Sequence, residues 1–136
     1  MAGLITSLFF VGKQLQAKPE PNAANAILTK KEPYLMIQDV TDALKQLKAR
    51  RNSKQLDSLI YSVKKLEEKL SVESDFGYGK SSVINCENNI ARQIQFLLDT
   101  APCIENGDFE ENLKAMNTAV MNINSLLRRR IELKKK

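Results

Sequence analysis

Apolar residues at intervals of three and four, repeated in four separate stretches, leave this chain few folds to adopt. The first stretch carries Ile37, Val40, Leu44 and Leu47, and the second Leu56, Leu59, Val63, Leu66 and Leu70. The third carries Val83, Ile90, Ile94 and Leu97, with Ile84, Ala91 and Leu98 beside them. The fourth runs through Leu113, Met116, Val120, Ile123, Leu127 and Ile131. Such spacing lines one face of an α-helix, and each face must be covered by another. Intervals of three and four favour near-parallel packing. No stretch sustains the apolar–polar alternation of a half-buried strand. The sequence therefore predicts an all-α four-helix bundle, with an N-terminal apolar helix or arm.

The punctuation fits. Pro33 sits at the opening turn of the first helix, where proline is favoured. From Leu47 to Leu56 the stripe jumps nine residues, out of phase, so Arg50 to Ser53 reads as a turn rather than a kink. Asn52 and Gln55 read as an N-cap pair. A loop at 71–80 holds Gly77 and Gly79, with Ser81 or Ser82 expected to cap the third helix. Pro102 ends that helix, and Asp108 with Glu111 forms a capping-box pattern for the fourth. Three parts follow: an apolar N-terminal segment (1–17), a linker (18–33) stiffened by prolines such as Pro19 and Pro21, and a bundle (34–136) with a basic C-terminal tail.

In the N-terminal segment, Leu4, Leu8, Val11 and Leu15 share one helical face, Ile5 and Phe9 widen it, and Phe10 extends it round the side. The apolar core from Leu4 to Val11 falls well short of the ~20 residues that span a bilayer. No cation precedes it, as one would in a secretory signal, so the segment is expected to be retained. With only Lys13 and Lys18 nearby, it lacks the cationic face of a membrane-surface helix. Protein contact is the favoured reading, which makes Leu4, Leu8, Phe9 and Phe10 candidate partner-binding residues.

Chemistry is harder to find. The 136 residues include no histidine and two cysteines. An imidazole base, a histidine zinc ligand and the Glu-x-x-His of di-iron bundles are all excluded. Cys86 and Cys103 fall on or beside one helix, roughly 25 Å apart at 1.5 Å per residue, too far for a disulfide. Glu67-Glu68 and Glu110-Glu111 are helix neighbours about 100° apart and form no dyad. The stretch from Ser74 to Ser81 ends in Gly-Lys-Ser like a phosphate-binding loop, but Ser74 stands where glycine is needed and no strand precedes it. Asp75-Phe76-Gly77 has none of the other kinase elements. The loop's aromatics, Phe76 and Tyr78, remain candidate partner contacts. No catalytic, cofactor-binding or metal-binding residue is assigned, and the chain is read as a non-enzyme.

Charge is segregated. Arg128 to Lys136 holds six basic residues and one acid, Glu132, which accounts for the whole formal charge of +5. Residues 30–69 hold ten basic and six acidic side chains, and residues 72–111 two and eight. Such asymmetry points to partners chosen by face. Arg128, Arg129 and Arg130 are candidate contacts, and Lys48, Arg50, Arg51 and Lys54 form a second cluster. Neither group interleaves the aromatics common in nucleic-acid binders.

The layout from about Tyr34 to Leu127 resembles the PsbQ-like extrinsic proteins of photosystems. The likeness is strongest in Asn89-Ile90-Ala91-Arg92, in the Asn106-Gly107-Asp108-Phe109 turn, and in the run from Ala119 to Leu127. The resemblance implies a four-helix bundle without cofactor or catalysis, docked on a membrane complex by an extended N-terminal arm, in a thylakoid-associated setting. The expected function is a non-enzymatic accessory subunit of a larger assembly. The alternative is a helical nucleic-acid-binding protein using the basic tail and the Lys48–Lys54 cluster.

Overall fold

The computed structural model describes residues 26–73 and 75–135. Four helices follow in order: α1 (Glu32–Arg50), α2 (Lys54–Val72), α3 (Ser81–Thr100) and α4 (Phe109–Lys134), with a 3₁₀ turn at Ala101–Cys103. The all-α four-helix bundle expected from the periodicity is what forms. The N-terminal segment 1–17 lies outside the described residues.

The helix ends are set by local chemistry. The carboxylate of Glu32 turns back to accept hydrogen bonds from the Thr29 N–H (2.8 Å) and hydroxyl (2.9 Å), and Pro33 occupies the first turn. At α2 the cap is Ser53, whose hydroxyl accepts from the Leu56 N–H at 3.3 Å. That is one residue later than the expected Asn52, because Ser53 has the extended backbone a cap requires. Asp108 caps α4 as expected, accepting from the Glu110 and Glu111 N–H groups. At α3 the cap position falls on Lys80, and neither Ser81 nor Ser82 holds it. Both serines already lie within the helix.

Cross-helix bonds give the topology. Lys48 pairs with Asp57 and Thr41 bonds Glu67, so α1 and α2 are antiparallel. Cys86 reaches Leu126 and Asn122 reaches Gln93, so α3 and α4 are antiparallel too. The other substantial helix contacts join α2 to α4 and α1 to α3. The helices thus form a square with α2 and α3 on a diagonal. The α1–α2 and α3–α4 turns share one pole, where Glu105 pairs with Arg50 (3.2 Å) and Arg51 (3.7 Å). The α2–α3 connection must cross the opposite pole diagonally, over the open end of the core.

All four stripes meet in one core that includes Ile37, Leu44, Leu59, Leu66, Ile90, Ile94, Met116 and Ile123. The stripe of α4 departs from expectation at its last turn. After Leu127 the buried position is Arg130, three residues on, while Ile131 is 44% exposed. The end of the linker also belongs to the bundle: Leu28 is buried, and the Lys30 N–H bonds the Phe76 carbonyl at 2.8 Å.

Candidate functional site

The pole crossed by the α2–α3 connection brings together Phe76, Tyr78 and Arg128 to Arg130, the candidates that fall among the described residues. Asp75 (φ 63°) and Gly77 (φ 92°) turn the chain sharply enough to drive Phe76 inward, where it is fully buried. Gly77 is dictated twice over. Its φ disfavours any L side chain, and a Cβ there would come within 2.9 Å of the Leu28 carbonyl oxygen and the Thr29 methyl.

Beneath the loop lies a buried ionic network. Arg130 of α4 is 1% exposed and Glu87 of α3 is 0% exposed. The Arg130 Nε donates to Glu87 Oε2 at 2.6 Å, and its Nη1 to Glu73 Oε1 at 2.6 Å. The second Glu87 oxygen accepts the Gly77 N–H at 2.8 Å. The Arg130 guanidinium lies 4.0 Å from the centroid of the Phe76 ring. Each charge therefore has a counter-charge and directed hydrogen bonds, which is the condition for burying it at tolerable cost. The network ties α3, α4 and the end of α2 to the crossing loop, and through Phe76 to Lys30.

Two sequence candidates are corrected by this arrangement. Phe76 is not an exposed contact, because the diagonal crossing makes it the plug of the core. Arg130 is not part of an exposed basic patch, because its i+3 step from Leu127 carries it inward onto Glu87. Arg128, Arg129 and Tyr78 are exposed. Leu4, Leu8, Phe9 and Phe10 lie outside the described residues. The basic tail is mostly helical, since α4 continues to Lys134.

Around the rim, Lys30, Asp75, Tyr78, Gly79 and Lys134 border an open depression. Ile27 donates its N–H to Asn88 of α3 at 2.9 Å, so the chain joins the bundle at this same pole. Exposed Arg128, Arg129, Lys134 and Lys135 lie in the last turns of α4 and just beyond. The Lys48–Lys54 cluster lies at the other pole and carries surface ion pairs: Lys48 pairs with Asp57 at 2.9 Å, Arg50 and Arg51 pair with Glu105, and Arg51 stacks on Phe109, while at the rim Lys135 pairs with Glu132 at 3.6 Å.

Both cysteines are free, Cys86 buried and Cys103 exposed. Burial pushes the Cys86 thiol pKa up, opposed by the nearby positive charge of Arg129. Its Sγ–H donates to the Leu126 carbonyl at 3.2 Å. Among the described residues, no cluster of three or more carboxylate or thiol side chains is placed to hold a metal ion, and no helix is long and apolar enough to cross a membrane.

The sequence reading missed Glu87 altogether. Its signal was present: Val83, Glu87, Ile90, Ile94 and Leu97 continue the spacing of four and three without a break. Compared with known proteins, the chain matches no family model, no curated protein and no solved structure.

Proposed function

We propose that this chain is a non-enzymatic accessory subunit that docks on a larger assembly through its N-terminal arm and the charged pole from which that arm departs. The observation that carries this reading is the gathering at one pole of the start of the described chain, the exposed cations Arg128, Arg129, Lys134 and Lys135, and exposed Tyr78. An apolar arm anchored beside a cationic rim can combine a buried contact with electrostatic steering. The first lengthens residence and the second speeds encounter. The buried charges of this pole are committed to holding Phe76 and the crossing loop, a structural use that leaves the rim to face a partner. The PsbQ-like layout narrows the proposed assembly to a photosynthetic membrane complex.

The test is binding of the full chain to photosynthetic membranes stripped of extrinsic proteins by salt, beside binding to duplex DNA and single-stranded RNA. Deleting residues 1–18, or combining Arg128→Glu with Arg129→Glu, should weaken membrane-complex binding by about tenfold or more while the thermal midpoint moves only slightly. Sub-micromolar nucleic-acid binding at physiological salt, lost in the double variant, would overturn the reading. Its log–log salt slope would steepen by ~0.9 per phosphate neutralised on duplex DNA.

A further inference from the structure

The outer face of α3 has a charge pattern unlike that of the rest of the bundle. Asn85, Asn89, Arg92, Phe96 and Asp99 are spaced four, three, four and three apart, and every one is exposed. They form a second stripe on a helix whose first stripe fills the core. Apart from buried Glu87, Arg92 and Asp99 are the only charged residues between Ser81 and Thr100. Phe96, a large aromatic, is 40% exposed between them. Depletion of Lys and Glu around an aromatic and an arginine is the composition of an interface centre rather than of free surface.

The two charges are opposite in sign and seven residues apart, two helical turns or roughly 10 Å. Neither makes an ion pair among the described residues. Each is instead held along the stripe by a neighbouring amide: Arg92 Nη1 donates to Asn89 Oδ1 at 2.6 Å, and Gln95 Nε2 donates to Asp99 Oδ1 at 2.9 Å.

We infer that this stripe is a self-association surface, and that its occupant is α3 of a second copy of the chain packed antiparallel about a two-fold axis. Charge complementarity selects that occupant. A two-fold passing between Gln95 and Phe96 sets Arg92 of each copy against Asp99 of the other, and brings the two Phe96 rings together at the axis. A symmetric interface must be self-complementary in this way. A parallel arrangement in register would oppose like charges instead. One helical stripe per protomer buries less than the ~800 Å² per partner of a standard stable interface, so the dimer is weak and concentration-dependent.

The experiment is sedimentation velocity on the full chain over a broad concentration series, with far-UV circular dichroism and thermal midpoints confirming that each variant folds. The wild type is expected to show a monomer–dimer equilibrium that weakens with salt. Arg92→Asp and Asp99→Arg should each raise the dimer dissociation constant by roughly tenfold, since two ion pairs become two repulsions. The double exchange, Arg92→Asp with Asp99→Arg, restores both pairs and should return the constant to near the wild-type value. Phe96→Glu should abolish the dimer. A chain that stays monomeric throughout overturns the proposal. So does a dimer indifferent to Arg92→Asp, or one that the double exchange fails to rescue.

Discussion

Replacing Arg130 with methionine tests the logic of the buried pole, because the structure makes an unusual demand on the sign of a second change. Arg130→Met keeps much of the aliphatic stem but removes the counter-charge of Glu87, which is 0% exposed and is left accepting the Gly77 N–H. Removing one partner of a buried pair typically costs about 3–5 kcal/mol, and the contact with the Phe76 face is lost with it. Glu73, more exposed than Glu87, can turn to water and adds little. For a domain of this size the single change should lower the thermal midpoint by on the order of 15 °C. Glu87→Gln should cost less, about 1–2 kcal/mol. Its amide oxygen can still accept the Gly77 N–H, and Arg130 keeps Glu73. Combining the two removes the stranded charge, so Arg130→Met/Glu87→Gln should be more stable than Arg130→Met alone. Urea unfolding of the four proteins in a double-mutant cycle measures this directly. An Arg130→Met cost below ~1 kcal/mol would refute the reasoning, as would a double variant less stable than that single one.

Two further predictions concern the crossing loop and the two thiols. Gly77→Ala should destabilise by about 1–3 kcal/mol in urea unfolding, since it combines a left-handed φ with a Cβ pressed against the backbone of Leu28; a neutral result would contradict the loop's close approach to Leu28 and Thr29. In the native protein a thiol reagent should label exposed Cys103 at once and buried Cys86 only on unfolding. Because the folded Cys86 pKa is raised, its contribution to stability is complete below the unfolded thiol's pKa and is lost as pH rises through the folded value. Equal labelling rates for the two thiols would contradict the burial.

The four stripes were legible because each is a local pattern whose burial any bundle would require, and Asp108 marks its helix start by chemistry confined to one turn, whereas at α2 two adjacent cap-forming residues left the choice between Asn52 and Ser53 to the backbone. The pole was not legible, because its logic is topological. Intervals of three and four do not say which helices are neighbours and which are diagonal. Once α2 and α3 stand on a diagonal, their connection must cross the end of the core, and an aromatic in that loop becomes a plug rather than a contact. The same step explains Arg130. A helix continuing past Leu127 can bury either the i+3 or the i+4 residue, and Ile131 is the obvious choice if each helix is considered alone. Glu87, at the corresponding level of α3, reverses that choice, because an acid inside an apolar stripe must find a cation. Two polar intrusions of opposite sign in two core stripes are thus each a violation alone and a specification together. Pairing them fixes the axial register of α3 against α4, which interchangeable aliphatic contacts leave loosely defined. It also holds the crossing loop down on Leu28 to Lys30, so the first described residues are tied to the bundle by a contact between the third and fourth helices.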